Sequence, residues 1–150
     1  MEDTAKTKTL EVLQELTLFV NDGHEGYKHA AKEEKHQAHK DFYEGLATQR
    51  QRFAEELNQF IRTLGGEPED GTTLKGKFYR QWMDVKATLT LHNDKAIIGS
   101  NIYGEEWAQK AFDDALEHKD LPANIRQVVE RQKQASLDVI RKLKEMKEGK

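Results

Sequence analysis

A glutamate at position 105 interrupts an otherwise apolar row. Ile98, Glu105 and Phe112 recur every seven residues, the spacing that stacks side chains on one face of a helix. A carboxylate inside such a row must meet a cation or a metal ion, because burying it alone is costly. In helical bundles, inward glutamates hold divalent metals when further carboxylates and histidines converge on them. The chemistry in question is therefore carboxylate metal binding, with iron or zinc, against a structural ion pair that needs no cofactor.

Other side chains able to do chemistry are few. His24 shares the inward side of the first helical segment, about one turn past Val20. It suits a lone metal ligand or proton relay, or an interior histidine bonded to a neighbour. His29, His36 and His39 gather near the first inter-helix connection with Glu33 and Glu34. The His36–His39 spacing admits a surface zinc or nickel site, although a solvated charged turn explains it as well. His92 and His118 show no partner pattern. No phosphate-cradling loop, nucleophile elbow or metalloprotease motif occurs, and Gly65-Gly66 reads as a helix cap.

The elements that position these residues are helices. The chain is rich in Ala, Leu, Glu, Lys and Gln, and its only two prolines, Pro68 and Pro122, fall in short turns. A first helix is expected over Thr7–Lys35, striped by Leu13, Val20 and Tyr27 and interrupted by poor helix formers at Asn21–Gly26. A second, Lys40–Leu64, carries Phe42, Leu46, Phe53, Leu57, Phe60 and Leu64 inward, and ends at Gly65-Gly66. A third, Leu74–Leu89, aligns Leu74, Phe78, Trp82, Val85 and Leu89. A fourth, Lys95–His118, has Asp94 as candidate cap. A last helix starts near Pro122 with Ile125, Val128, Val129, Val139, Leu143 and Met146 inward.

Short connections make two antiparallel hairpins. The segment at about 73–90 is long enough to carry the chain back along the bundle as a crossover helix. Residues 1–150 therefore read as one domain, with its core at about 7–147. The expected fold is all-α, an up-down four-helix bundle with an extra crossover helix between its second and third helices.

Composition excludes several functions. The absence of cysteine removes disulfides, thiolate catalysis and Cys-type zinc or iron–sulfur sites. With 34% charged residues and a net charge of −3, the surface offers no electrostatic footprint for nucleic acid or an anionic membrane. No run approaches the ~18 apolar residues of a membrane span, and the start lacks a signal-peptide pattern, so a cytoplasmic location is expected.

The run LGGEPEDGTTLKGKFYRQWMDVKATLT, with NDGHEGY on the first helix and ALEHKDLP later, resembles an uncharacterised bacterial family of four-helix-bundle proteins with a ferritin-like fold. The resemblance implies the fold and carries no reaction. Rubrerythrin-like members of that superfamily place a glutamate seven residues before a tyrosine on helix one, where this chain has Val20 before Tyr27. Their second-helix ligand pair lies where this chain has Arg50 and Phe53. Glu105 matches their fourth-segment glutamate, and the last helix offers Gln132 and Ser136 where Glu and His are needed. One anionic ligand remains, and an arginine has entered, which repels a cation at low dielectric.

The expectation is a degenerate metal site: a buried polar core in which Glu105 pairs with Arg50, helped by Gln132 and Gln49, with His24 nearby. The alternative is an iron or zinc protein using Glu105, His24 and Gln132. The expected function is non-enzymatic, exerted through the surface or through homo-oligomers, and stress-linked by analogy with other ferritin-like proteins. Tyr79 and Met83 on the crossover, or Trp107, are the candidate contacts for such an assembly. A small-ligand binder would require an interior cavity.

Overall fold

Local chemistry sets the ends of each long helix. The computed structural model describes residues 2–73 and 94–149. They form α1 (Glu2–Glu33), α2 (Gln37–Thr63), α3 (Asp94–Leu116) and α4 (Ala123–Lys147), and contain no strand. The expected crossover helix, Leu74–Leu89, with Tyr79, Trp82 and Met83, lies outside the described residues, as does His92. α2 ends at a complete Schellman motif. Gly66 N–H donates to the Ile61 carbonyl and Gly65 N–H to that of Arg62, each at 2.9 Å, with Gly65 at φ +86°. α4 starts immediately after Pro122, whose ring pre-sets the turn into the helix. None of the described helices is long and apolar enough to cross a membrane.

The core shows how the helices run. One apolar cluster joins Leu13, Leu16 and Val20 to Leu57 and Ile61, to Ala111 and Phe112, and to Ile125 and Val129. The other joins Tyr27 and Ala31 to Tyr43 and Leu46, to Ile97 and Ile98, and to Val139 and Leu143. Low numbers in α1 therefore meet high numbers in α2 and α3, so both run antiparallel to α1. α4 is antiparallel to α2 and α3, which leaves α2 parallel to α3. That pairing requires a long return between residues 63 and 94, as the two-hairpin reading expects.

Two expectations about burial need correction. On α2 the buried row is Tyr43, Leu46, Ala47, Arg50, Phe53, Ala54, Leu57 and Ile61. Phe42, Phe60 and Leu64 sit at its half-buried rim. Ala47 and Ala54 face inward, so α1 approaches closely and the larger rings are turned aside. On α4, Val128 and Met146 are likewise only half-buried.

The weak helix formers in α1 do not break it, since the helix is continuous through Asn21–Gly26. They tether the chain leaving α2. Asn21 Nδ2 donates to the carbonyls of Glu69 (3.1 Å) and Gly71 (2.8 Å). Thr73 donates its hydroxyl to Asp22 Oδ2 at 2.6 Å and its N–H to Oδ1 at 3.3 Å. Asn58 on α2 accepts from Glu69 N–H at 2.7 Å. Asp22 is fully buried, and burial pushes its carboxyl up to about 6 despite the Thr73 bonds.

Candidate functional site: a polar layer across the bundle

Between the two apolar clusters each helix contributes one side chain to a buried polar layer: Tyr27 from α1, Arg50 from α2, Glu105 from α3 and Ser136 from α4. Glu105 and Ser136 are 0% exposed and Arg50 1%. Both carboxylate oxygens of Glu105 are engaged. Oε1 accepts from the Tyr27 hydroxyl. Oε2 accepts from Arg50 Nη1 at 2.7 Å and from the Ser136 hydroxyl.

Arg50 is held along its length. Its Nε donates to Gln49 Oε1 at 3.2 Å, and its guanidinium carbon lies 5.6 Å from the Tyr27 ring centroid and 5.4 Å from that of Phe53. The aliphatic stem crosses α1 at Gly23, where a Cβ would stand 3.7 Å from Arg50 Cγ. Nη2 is buried and has no hydrogen-bond partner among the described residues.

The charges support one another. Burial works to lower the Arg50 value, but Glu105 and Tyr27 hold it above its ordinary range, so the guanidinium stays cationic. Burial first, then the Glu105 charge, raises Tyr27 well above an ordinary tyrosine. Its hydroxyl therefore remains a donor to the carboxylate.

The other expected members are placed differently. Gln49 touches Arg50, but Gln132 turns to α2, donating to the Phe53 carbonyl at 3.3 Å and to Glu56 Oε1 at 3.1 Å. Ser136, one turn further along α4, reaches Glu105 instead. His24 is half-buried with Nδ1 2.8 Å from the Ala47 carbonyl, so that nitrogen carries the proton. Glu105, His24 and Gln132 thus each face separate partners.

Sequence reasoning did not foresee the Tyr27 and Ser136 bonds. For Tyr27 a signal existed. Val20 and Tyr27 share the seven-residue spacing of Glu105 and Phe112. Read antiparallel, that pairing sets Tyr27 against Glu105 and Val20 against Phe112, as found.

A metal ion, which bundles of this kind can hold at such glutamates, does not fit the layer. The donor set has a single carboxylate, saturated by three donors, and a guanidinium stands where a cation would go. Val20 and Phe53 occupy apolar positions in the cluster below. The hollow between α1 and α3 measures only about 40 Å³, against several hundred Å³ for usual small-molecule sites. The roomier spaces, about 520 Å³ along α2 beside Arg131 and about 350 Å³ between His24 and Lys40, are open surface grooves.

A mutant form of the Dps1 protein of Mycobacterium smegmatis is similar in structure. The match covers 98% of this chain and 99% of that one, with a TM-score of 0.84 and 16% sequence identity. At that identity the likeness establishes the fold, a ferritin-like four-helix bundle. No protein of curated function matches the sequence. Residues 8–118 match the family model described as a domain of unknown function, DUF2383, a span that holds Tyr27, Arg50 and Glu105. The chain belongs to the DUF2383 family.

Proposed function

We propose that this protein is a non-enzymatic ferritin-like bundle that has given up carboxylate metal chemistry at its centre and acts through its surface, as a homo-oligomer in the cytoplasm. One observation carries the reading: Arg50 Nη1 sits 2.7 Å from Glu105 Oε2, in a layer whose other donors, Tyr27 and Ser136, complete that carboxylate. A buried pair of this kind serves structure and helix register. Trp107 supports the surface role. It is 36% exposed on α3, with Lys110 Nζ 4.5 Å from its ring centroid, and large exposed aromatics favour interfaces. A role in stress rests on analogy with other ferritin-like proteins, since a fold does not fix function.

Light scattering coupled to size-exclusion chromatography tests the surface role. An oligomer that dissociates in Trp107→Glu is expected. A wild-type monomer at all concentrations would remove the assembly from the proposal.

A further inference from the structure

At the end of the bundle opposite the start of α1, where α4 also ends, the turn after α1, the first turn of α2 and the first residue of α3 meet. They bring together Glu34, His39 and Asp94. One ligand atom from each lies within 4.8 Å of the other two. His39 Nδ1 is 3.7 Å from Glu34 Oε2 and 3.8 Å from Asp94 Oδ2, too far for a hydrogen bond. A tetrahedral ion bonded at ~2.0–2.1 Å holds its ligands about 3.3 Å apart, so closure by a few tenths of an ångström would complete three of four positions.

Two of the three donors lack a hydrogen-bond partner and are oriented. Glu34 is 3% exposed, and its Oε2, like His39 Nδ1, is buried without a hydrogen-bond partner. The other oxygen, Oε1, accepts from the backbone N–H groups of Lys35 and His36, each at 3.0 Å, which aims Oε2 at the cluster. The His36 ring stacks on His39 with centroids 4.4 Å apart and fixes the imidazole plane. The Asp94 side chain is 43% exposed, leaving the fourth position to water.

We propose that Glu34, His39 and Asp94 form a binding site for a divalent transition-metal ion of the zinc class. One imidazole nitrogen and two carboxylate oxygens suit such an ion better than magnesium or calcium, which prefer all-oxygen sets. The ion ties the α1–α2 hairpin to the first residue of α3, and so stabilises the start of that helix. The site is separate from the Glu105 layer.

The test is a competition titration of zinc alone, with a chromogenic chelator, on the untagged full-length chain stripped of metal. One zinc per chain is expected. Glu34→Gln, which keeps an acceptor for the Lys35 and His36 amides, and Asp94→Asn should each weaken binding beyond the ~10–100-fold typical of outer-shell changes. His36→Ala should retain the stoichiometry. At about 100-fold excess over Kd, zinc should raise the wild-type melting temperature by about 5–10 °C and leave Asp94→Asn unmoved. Absence of zinc binding would overturn the proposal, as would zinc retained in both carboxylate variants or lost only in His36→Ala. Zinc lost instead on substitution of Glu105 would overturn both this site and the structural reading of the central layer.

Discussion

Replacing Glu105 by Gln removes one charge from a layer that has no solvent to compensate it. The amide oxygen can still accept from Tyr27, but an NH₂ group then faces Arg50 Nη1, now at 2.7 Å from Oε2. The guanidinium, 1% exposed, becomes an uncompensated buried charge. Breaking one side of a buried pair costs about 3–5 kcal/mol, a large share of the ~5–15 kcal/mol that holds a domain together. Arg50→Met should cost about the same, because it strands the carboxylate. The double variant Arg50→Met/Glu105→Gln buries no charge. Its amide oxygen keeps the Tyr27 bond and its NH₂ group donates to Ser136. It should lie within about 1.5 kcal/mol of wild type, since uncharged replacement of buried pairs is often near neutral. Urea unfolding followed by circular dichroism on all four proteins gives the coupling energy, expected at about 4.5 kcal/mol or more. If Glu105→Gln costs less than about 1 kcal/mol, or if the two single effects simply add, the buried pair does not exist as described.

Four further outcomes are expected. Tyr27→Phe should cost about 1.5–3 kcal/mol in the same assay, the usual value of a hydrogen bond to a charged group; no loss would place Tyr27 away from Glu105. Asp22, raised by burial from 3.8 to about 6, binds its proton more tightly folded than unfolded, so its contribution is present below pH 4 and lost as pH rises through about 6. That rise corresponds to about 3 kcal/mol; Asp22→Asn should therefore gain on wild type between pH 4 and 7, and a pH-independent difference would contradict the assignment. Gly23→Ala should stabilise α1 by about 0.5–1 kcal/mol, because the new Cβ meets Arg50 only at ordinary contact distances of 3.7–4.0 Å. Gly66→Ala should destabilise, since its Cβ would fall 2.7 Å from Leu10 Cδ2 and 3.1 Å from Ile61 Cγ2. Chemical denaturation of both glycine variants separates the two cases.

Periodicity made the helices legible, and Gly65-Gly66 fixed the end of α2 because a left-handed cap leaves a local signature. The meeting of Arg50 with Glu105 was also within reach, since a charge on an inward stripe demands a partner. Side-chain reach and the rotation of each helix were not. Gln132 and Ser136 lie one turn apart on the same face, and only packing decides that the longer side chain goes to the α2 backbone while the hydroxyl meets Glu105. The Asn21-Asp22 pair looked like a flaw in α1 because its partners, Glu69, Gly71 and Thr73, lie some fifty residues away. Asp94 read as a helix cap for a similar reason: nothing local shows that the return of the chain sets it beside Glu34 and His39.

Metal stoichiometry after anaerobic Fe²⁺ loading tests the structural reading of the central layer most directly, with wild type and Arg50→Met/Glu105→Gln compared at equal fold stability. The layer described here requires the same iron content in both proteins, because Glu105 already spends both oxygens on Tyr27, Arg50 and Ser136. Stoichiometric iron in wild type that vanishes in the double variant would contradict it and make Glu105 a metal ligand.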